Sequence, residues 1–237
     1  MSAPVNFLRE YFKDTDGSVC LCVYRNRDSK QPHGEIDRLC TRHPIEIEKF
    51  IAEHDLPERE GGIYFAGATL KPGATQRNGE SCHQFPSIFA DVDDKNHELS
   101  RDLALSLLEQ AELPPSVIVN SGHGLQAHWL LSEPSDDAGR IVAAREKIQA
   151  LTASDKVHDA PRVMRLPGTH NSKNGQWLEA KIVSNRPEYR YALETLEDWL
   201  NRATTIIPRK VAEPKPEQQH NGATASPIRH QRHRPHS

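Results

Sequence analysis

Two periods alternate along the body of the chain. Segments Val19–Tyr24, Gly62–Leu70, Pro86–Val92, Ser116–Val119, Gln126–Leu131, Trp177–Ser184 and Tyr189–Ala192 have the composition of strands. Between them lie helical patterns. Val5–Phe12 gathers Leu8, Tyr11 and Phe12 on one face, and Pro44–His54 gathers Ile47, Phe50 and Ile51 behind a proline that suits a first turn. Glu98–Leu113 places Leu103, Leu107, Leu108 and Ala111 at helical spacing, and Pro114-Pro115 stops it. Ser135, Asp136 and Asp137 open a fourth helix reaching about Leu151, and Thr195 caps a last one to about Arg202.

Pro86–Val92 is an almost unbroken apolar run, as expected of a central buried strand. The Ser121–Gly124 link between the next two strands is too short for a parallel crossover, so it is a hairpin. The β-α-β-β-α order predicts an α+β fold with a mixed or antiparallel sheet. That is the ferredoxin-like layout of an RNA-recognition-motif palm with flanking helices. There is no internal repeat, and residues 1–207 are expected to form one domain, with enough ordered residues for one good core.

Composition then narrows the class. Of 237 residues 36% are apolar, no run approaches a membrane span, and the N-terminus lacks the pattern of a secretory signal. Four cysteines are too few for a disulfide scaffold, so a soluble, cytoplasmic, non-membrane protein is expected. From Pro208 onward six basic residues face two acidic ones, a net charge of +4, which leaves −7 on the body of a chain whose total is −3. This stretch is rich in Pro and His and nearly devoid of apolar residues, and residues 208–237 are expected to be a disordered basic tail, either a weak polyanion-binding arm or a solvated end.

Three polar clusters carry candidate chemistry. In Ile88-Phe89-Ala90-Asp91-Val92-Asp93-Asp94, Asp91 and Asp93 are two apart on a strand and so share a face. Two close anions favour a bound cation, and hard carboxylate oxygens suit Mg²⁺ or Mn²⁺. The alternative is an acidic strand end before a turn. In Asn120-Ser121-Gly122-His123-Gly124, the glycines permit close backbone approach to an anion, and Gln126 and His128 follow on one strand face. The alternative is an ordinary hairpin. The third cluster runs from His158 to Lys173, with Asp159, Arg162, Arg165, Pro167-Gly168, Asn171 and Lys173. Its arginines and lysine match the oxygens of a polyphosphate, unless Asp159 and Arg162 merely form a structural ion pair.

In order and spacing these clusters resemble the archaeo-eukaryotic primase superfamily, in particular the RepB-like primase and primase-polymerase domains of plasmids, phages and integrated elements. The string Arg165-Leu166-Pro167-Gly168-Thr169-x-Asn171-x-Lys173 is its most specific part. The resemblance spans roughly residues 62–184. It implies template-directed nucleotidyl transfer on single-stranded DNA, with nucleoside triphosphates as substrates and two Mg²⁺ or Mn²⁺ ions held by Asp91, Asp93 and Asp159. It also implies that Ser121, Gly122, His123, Gly124, Gln126, His128, Arg162, Arg165, Asn171 and Lys173 face the nucleotide. A replicative helicase acting in trans is a conceivable partner. One departure is chemical: Gln126 stands where many members have His, and a neutral amide cannot give a triphosphate a cation, a task left to His123 or His128.

Two alternatives belong to other classes. A replication-initiator nickase needs a metal-binding His pair and a nucleophilic tyrosine. Tyr11, Tyr24, Tyr64, Tyr189 and Tyr191 are available, but no His-apolar-His motif occurs. A catalytically silent nucleic-acid-binding module would not need three acids. Cys20, Cys22, Cys40 and His43 could ligate zinc, but buried strand cysteines usually pack as small hydrophobes. Arg77 precedes the first acidic cluster and either reaches nucleic acid or is a solvated loop residue.

Overall fold

The computed structural model describes residues 1–26, 29, 32–156 and 159–210. The elements follow in chain order as α1 (Ala3–Tyr11), β1 (Val19–Arg25), β2 (Gly34–Thr41), α2 (Pro44–His54), β3 (Gly61–Ala66), β4 (Phe85–Asp93) and α3 (Arg101–Glu109). They continue with β5 (Val117–Asn120), β6 (Gly124–Ser135), α4 (Ala138–Leu151), β7 (Val163–Arg165), β8 (His170–Asn171), β9 (Leu178–Glu179), β10 (Lys181–Asn185), β11 (Arg190–Tyr191) and α5 (Leu193–Arg202).

Two sheets carry the molecule. The first has the order β2-β1-β3-β7 and is antiparallel throughout. The second runs β10-β5-β6, with β4 pairing the other edge of β6 antiparallel and β11 adding a short parallel pair to β6. The fold is therefore α+β with predominantly antiparallel sheets, as the element order predicts.

Strand periodicity divides the second sheet into two apolar faces. Ile88, Ala90, Val92, Ile118, Leu125, Ala127 and Trp129 pack with Leu108, Ile148, Leu196 and Trp199 of α3, α4 and α5. The alternate residues Phe89, Val117, Val119 and Leu130 pack with Phe65, Ile63 and Met164 of the first sheet and with Leu8 and Tyr11 of α1. Burial of these side chains stabilises each layer by roughly 1.5–3 kcal/mol per large residue.

Several boundaries differ from expectation for local reasons. Helix α3 begins only at Arg101 because the Ser100 hydroxyl accepts from the Leu103 amide and caps it there. Helix α5 starts earlier than Thr195, after Ala192. Strand β2 is absent from the sequence reading: it is an edge ribbon, partly exposed on both faces, and shows no alternation. The predicted tail lies outside the described residues from 211 onward. Its first residues still touch the body: Ile207 is buried, the Arg209 side chain donates to the Ser154 carbonyl at 2.6 Å, and the Lys210 amide donates to the Asn96 carbonyl at 2.8 Å. Among the described residues no helix is long and apolar enough to cross a membrane.

Candidate active site

The face of β4 that sends Phe89 into the layer between the sheets carries Asp91 and Asp93 next along the strand. There the layer becomes a cleft of about 140 Å³. Its walls come from both sheets: Asp91 and Asp93 of β4, Gln126 of β6 and the Ser121–Gly124 turn on one side, Tyr64 of β3 and Arg165 of β7 on the other, with Asn171 and Lys173 closing it. A larger cavity of about 790 Å³ adjoins it, sharing Asp91, Tyr64 and Lys173 and adding Tyr24, Arg25, Arg77, Asp159 and Arg162.

The acidic wall is electrostatically loaded. Burial, followed by the nearby Asp155 carboxylate, pushes the Asp91 carboxyl up to about 6, against a weak bond from the Gln126 amide at 3.4 Å. The Lys95 ammonium bridges Asp93 at 2.6 Å and Asp155 at 2.9 Å, and the Asn96 amide donates to Asp155 at 2.8 Å. Partial burial disfavours the Lys95 charge, but these two carboxylates hold its pKa above the ordinary value. A cation thus already sits among these acids, and the hard oxygen donors of Asp91 and Asp93 fit Mg²⁺ or Mn²⁺. Among the described residues no group of three or more His, Cys, Asp or Glu side chains is gathered to hold an ion. Asp159 stands on the wall of the larger cavity, where Arg162 engages its carboxylate at 2.5 and 2.6 Å.

The turn is built by its glycines. Gly122 has φ +98°, and a Cβ on Gly124 would lie 2.3 Å from the Val92 carbonyl, so only glycine lets the turn lie flat on β4. The Asn171 amide donates to the Ser121 carbonyl at 3.0 Å, and the Asn171 carbonyl oxygen accepts from the Lys173 amide at 3.1 Å. Asn171 therefore positions the turn and the lysine together.

Arg165 forms the opposite wall. Its backbone N–H donates to Gln126 Oε1 at 3.0 Å, its Nη2 donates to the Tyr64 hydroxyl at 2.6 Å, and its guanidinium lies 4.2 Å from the Tyr64 ring centre. Its Nη1 is buried without a partner. Any Cβ on Gly62 would stand 1.4 Å from that nitrogen, so Gly62 makes the room it occupies. No ion pair engages Lys173 among the described residues.

The histidines do not supply the cation that Gln126 lacks. His128 is buried away from the cleft, bonded to the Tyr11 hydroxyl at 3.0 Å, and burial and Arg145 push its pKa down to about 3. His123 does line the cleft, but burial and then Lys173 hold its pKa below the ordinary imidazole value. The cationic charge comes from Arg165 and Lys173. Thus Asp91, Asp93, Ser121, His123, Gly124, Gln126, Arg165, Asn171 and Lys173 line one cleft. Gly122 shapes its turn, Asp159 and Arg162 lie in the adjoining cavity, and His128 lies in the core. His158 lies outside the described residues.

Tyr64, Lys95 and Gly62 carry no motif of their own. The one signal in the sequence is the two-residue spacing that puts Gly62 and Tyr64 on one face of β3. Arg77 is tied to Glu35 at 2.9 Å and to the Tyr24 hydroxyl and Pro161 carbonyl, so it braces the larger cavity. The sulfurs of Cys20 and Cys40 approach to 3.4 Å across the β1–β2 pair, while His43 stands apart at the start of α2.

No protein-family model matches the chain. A curated relative, the "Replication protein" of Clostridium perfringens, is 26% identical over 160 residues, which is 63% of this chain and 37% of the relative. The chain therefore spans little more than a third of that relative's length. Among solved structures, the AEP domain of the Cyanophage S-2L primase-polymerase superposes with a TM-score of 0.61 at 16% identity, over 83% of this chain and 96% of that one. The catalytic domain of primase RepB′ in complex with initiator DNA gives a TM-score of 0.51 at 13% identity, over 84% and 93%. Primase RepB′ itself gives 0.50 at 12%, over 84% and 62%. The fold is that of primase and primase-polymerase catalytic domains, as the sequence resemblance implies.

Proposed function

We propose that this chain is the catalytic domain of a DNA primase or primase-polymerase. It would join nucleoside triphosphates on a single-stranded DNA template for replication of a mobile element. The observation that carries the reading is the cleft itself. The Arg165 guanidinium, and Lys173, which no ion pair engages among the described residues, stand with a strand-borne pair of carboxylates around a space of about 140 Å³. Triphosphate oxygens need the first wall and a nucleotidyl-transfer centre needs the second. The β4–α3–β5–β6–α4 unit, with lateral order β5-β6-β4, is read as the palm of RNA-recognition-motif type.

In this mechanism the Arg165 guanidinium and the Lys173 ammonium hold the triphosphate, and the flat Ser121–Gly124 turn sets its position against β4. Gln126 joins the two walls, orienting Asp91 through its amide and Arg165 through its carbonyl oxygen. Bound Mg²⁺ or Mn²⁺, two ions in the mechanism the resemblance implies, would be held by Asp91, Asp93 and Asp159 and supply activation of the 3′-hydroxyl and neutralisation of the leaving pyrophosphate. For this Lys95 must release Asp93, and Asp159 must leave Arg162. The adjoining cavity, with Arg25, Arg77 and Tyr24 on its wall, is the side assigned to the primer end.

The test is primer synthesis on single-stranded DNA with labelled ATP or dATP and Mg²⁺ or Mn²⁺. Incorporation that vanishes in the Asp91→Ala, Asp93→Ala double variant supports the reading, and incorporation unchanged in that variant overturns it. The Tyr64 hydroxyl stands in the same cleft as the acids, which is the placement a nickase requires. A parallel assay on supercoiled plasmid distinguishes that reading, because only a nickase relaxes the plasmid in a Tyr64-dependent way.

A further inference from the structure

The β8–β9 hairpin has a second working face. Asn171 and Lys173 point into the cleft, whereas His170 and Trp177 line a separate cavity of about 380 Å³ on the other side of the Gly122 turn. Leu178 lies against Gly122 there, with its Cβ 3.3 Å from where a Gly122 Cβ would be, so hairpin and turn form one continuous wall between the two spaces.

The His170 and Trp177 rings are stacked nearly parallel, 8° apart with centroids at 4.4 Å. The stack is rigid. Asp55 accepts from the His170 backbone N–H at 2.8 Å and from its Nδ1 at 2.9 Å, which fixes the imidazole that backs the indole. Trp177 is 37% exposed, whereas the other two tryptophans of the chain, Trp129 and Trp199, are 0% and 2% exposed. The indole thus presents an open aromatic face at the rim of the cavity. The rim carries the Arg101 guanidinium, the Lys181 ammonium and the Asn120 amide. Arg101 is committed to Asp94 and to the turn, and Lys181 to Glu179 at 3.2 Å, so charge attraction at this cavity is modest and the aromatic plane dominates.

We propose that the His170–Trp177 stack is a shelf for one unpaired base of a single-stranded nucleic acid that runs along the outer side of the Gly122 turn, apart from the Asp91–Asp93 cleft. Only the identity of that strand as template rests on the primase reading. The recognition is by π-stacking, which tolerates any base because every base has a π-face. The adjoining amide and cations contact the sugar-phosphate backbone.

The chain provides its own reporter, because Trp177 is its one exposed tryptophan. The full chain is titrated with an oligothymidylate of about 10 nucleotides, and in a second arm with oligouridylate, while intrinsic fluorescence and the anisotropy of a labelled strand are recorded. Quenching that saturates together with anisotropy is expected in the arm the shelf accepts, which separates a DNA strand from an RNA strand. Trp177→Phe should lose the quenching but keep most of the affinity, and Trp177→Ala should weaken binding about fivefold or more, at low and high salt alike. Binding without quenching, no binding in either arm, or an unchanged affinity in Trp177→Ala overturns the shelf. Primer synthesis with no quenching would leave the enzyme reading standing and remove the shelf. Quenching without synthesis would do the reverse.

Discussion

Two arginines are almost wholly withdrawn from water, and they are held in opposite ways. Arg145 of α4 is 0% exposed: its guanidinium lies 3.8 Å from the Phe89 ring centre, and it donates to the carbonyls of Gly67, Ser87 and Asp159. Burial pushes its pKa down to about 10. Arg165 is 5% exposed, also lies over an aromatic ring, and also bonds a neighbour. Each leaves one donor unpaired, Nε in Arg145 and Nη1 in Arg165. The difference is space: Arg165 lines the cleft, whereas Arg145 is enclosed by aromatic rings and backbone. An unpaired buried donor is a cost in a closed core and a ligand contact beside an open cleft.

The largest effect should come from the closed site. Arg145→Ala removes the guanidinium donors to the Gly67 and Ser87 carbonyls, while the Asp159 carbonyl keeps the Arg162 N–H, and opens a cavity beside Phe85 and Phe89; it should cost about 3–5 kcal/mol in urea unfolding. Arg165→Ala should behave differently. It should raise the apparent nucleotide KM by roughly tenfold to a hundredfold, the value of a charge-assisted contact, while stability falls by about 1 kcal/mol or less. If both variants destabilise alike and leave KM unchanged, the contrast between the two arginines fails.

The acid facing Arg165 sharpens the contrast through pH. An unfolded Asp ionises near 4 and folded Asp91 near 6, so the folded state binds that proton more tightly. The contribution is stabilising below about pH 4 and is lost as pH rises through about 6, amounting to about 3 kcal/mol. Asp91→Asn should therefore be more stable than the parent by about that amount at pH 7.5 and no more stable at pH 4, yet inactive. Mg²⁺ should raise the parent's melting temperature at pH 7.5 and leave the variant's unchanged; chelation should reverse the rise. The smallest effect is expected for Gly62→Ala. Its methyl group collides with Arg165 Nη1 and must displace the guanidinium without removing its charge, raising KM about threefold to tenfold in steady-state assays.

The two walls of the cleft were unequally visible in the sequence. Asp91, Asp93 and the Ser121–Gly124 turn are local in the chain, and strand period and glycine chemistry place them without knowledge of the partner sheet. Arg165 and Lys173 were legible as a motif, but the carbonyl oxygen of Gln126 that holds Arg165 in place, 39 residues away, was not. Tyr64 and Gly62 act only because β3 pairs with β7, a contact between segments a hundred residues apart that no local period encodes. His128 shares a strand face with Gln126, as its spacing predicts, but α1 covers that part of the face and supplies Tyr11 to it. Asp159 and Arg162 stand three apart and form the ion pair that was the alternative to a metal role, while Asp155 is the acid that presses on Asp91.

The anchoring of Lys210 beside the acidic wall has a polymer-physics consequence. The Asn96 carbonyl holds the Lys210 amide, and the Asn96 side chain holds Asp155, the neighbour of Asp91. Anything grafted after Lys210 is thus anchored two residues' contacts from the acidic wall. A flexible graft of about 25 residues has a root-mean-square reach of about 25–30 Å. Its free end would meet the cleft at an effective concentration of about a millimolar. A peptide or dye attached there would compete with nucleotide as an intramolecular ligand.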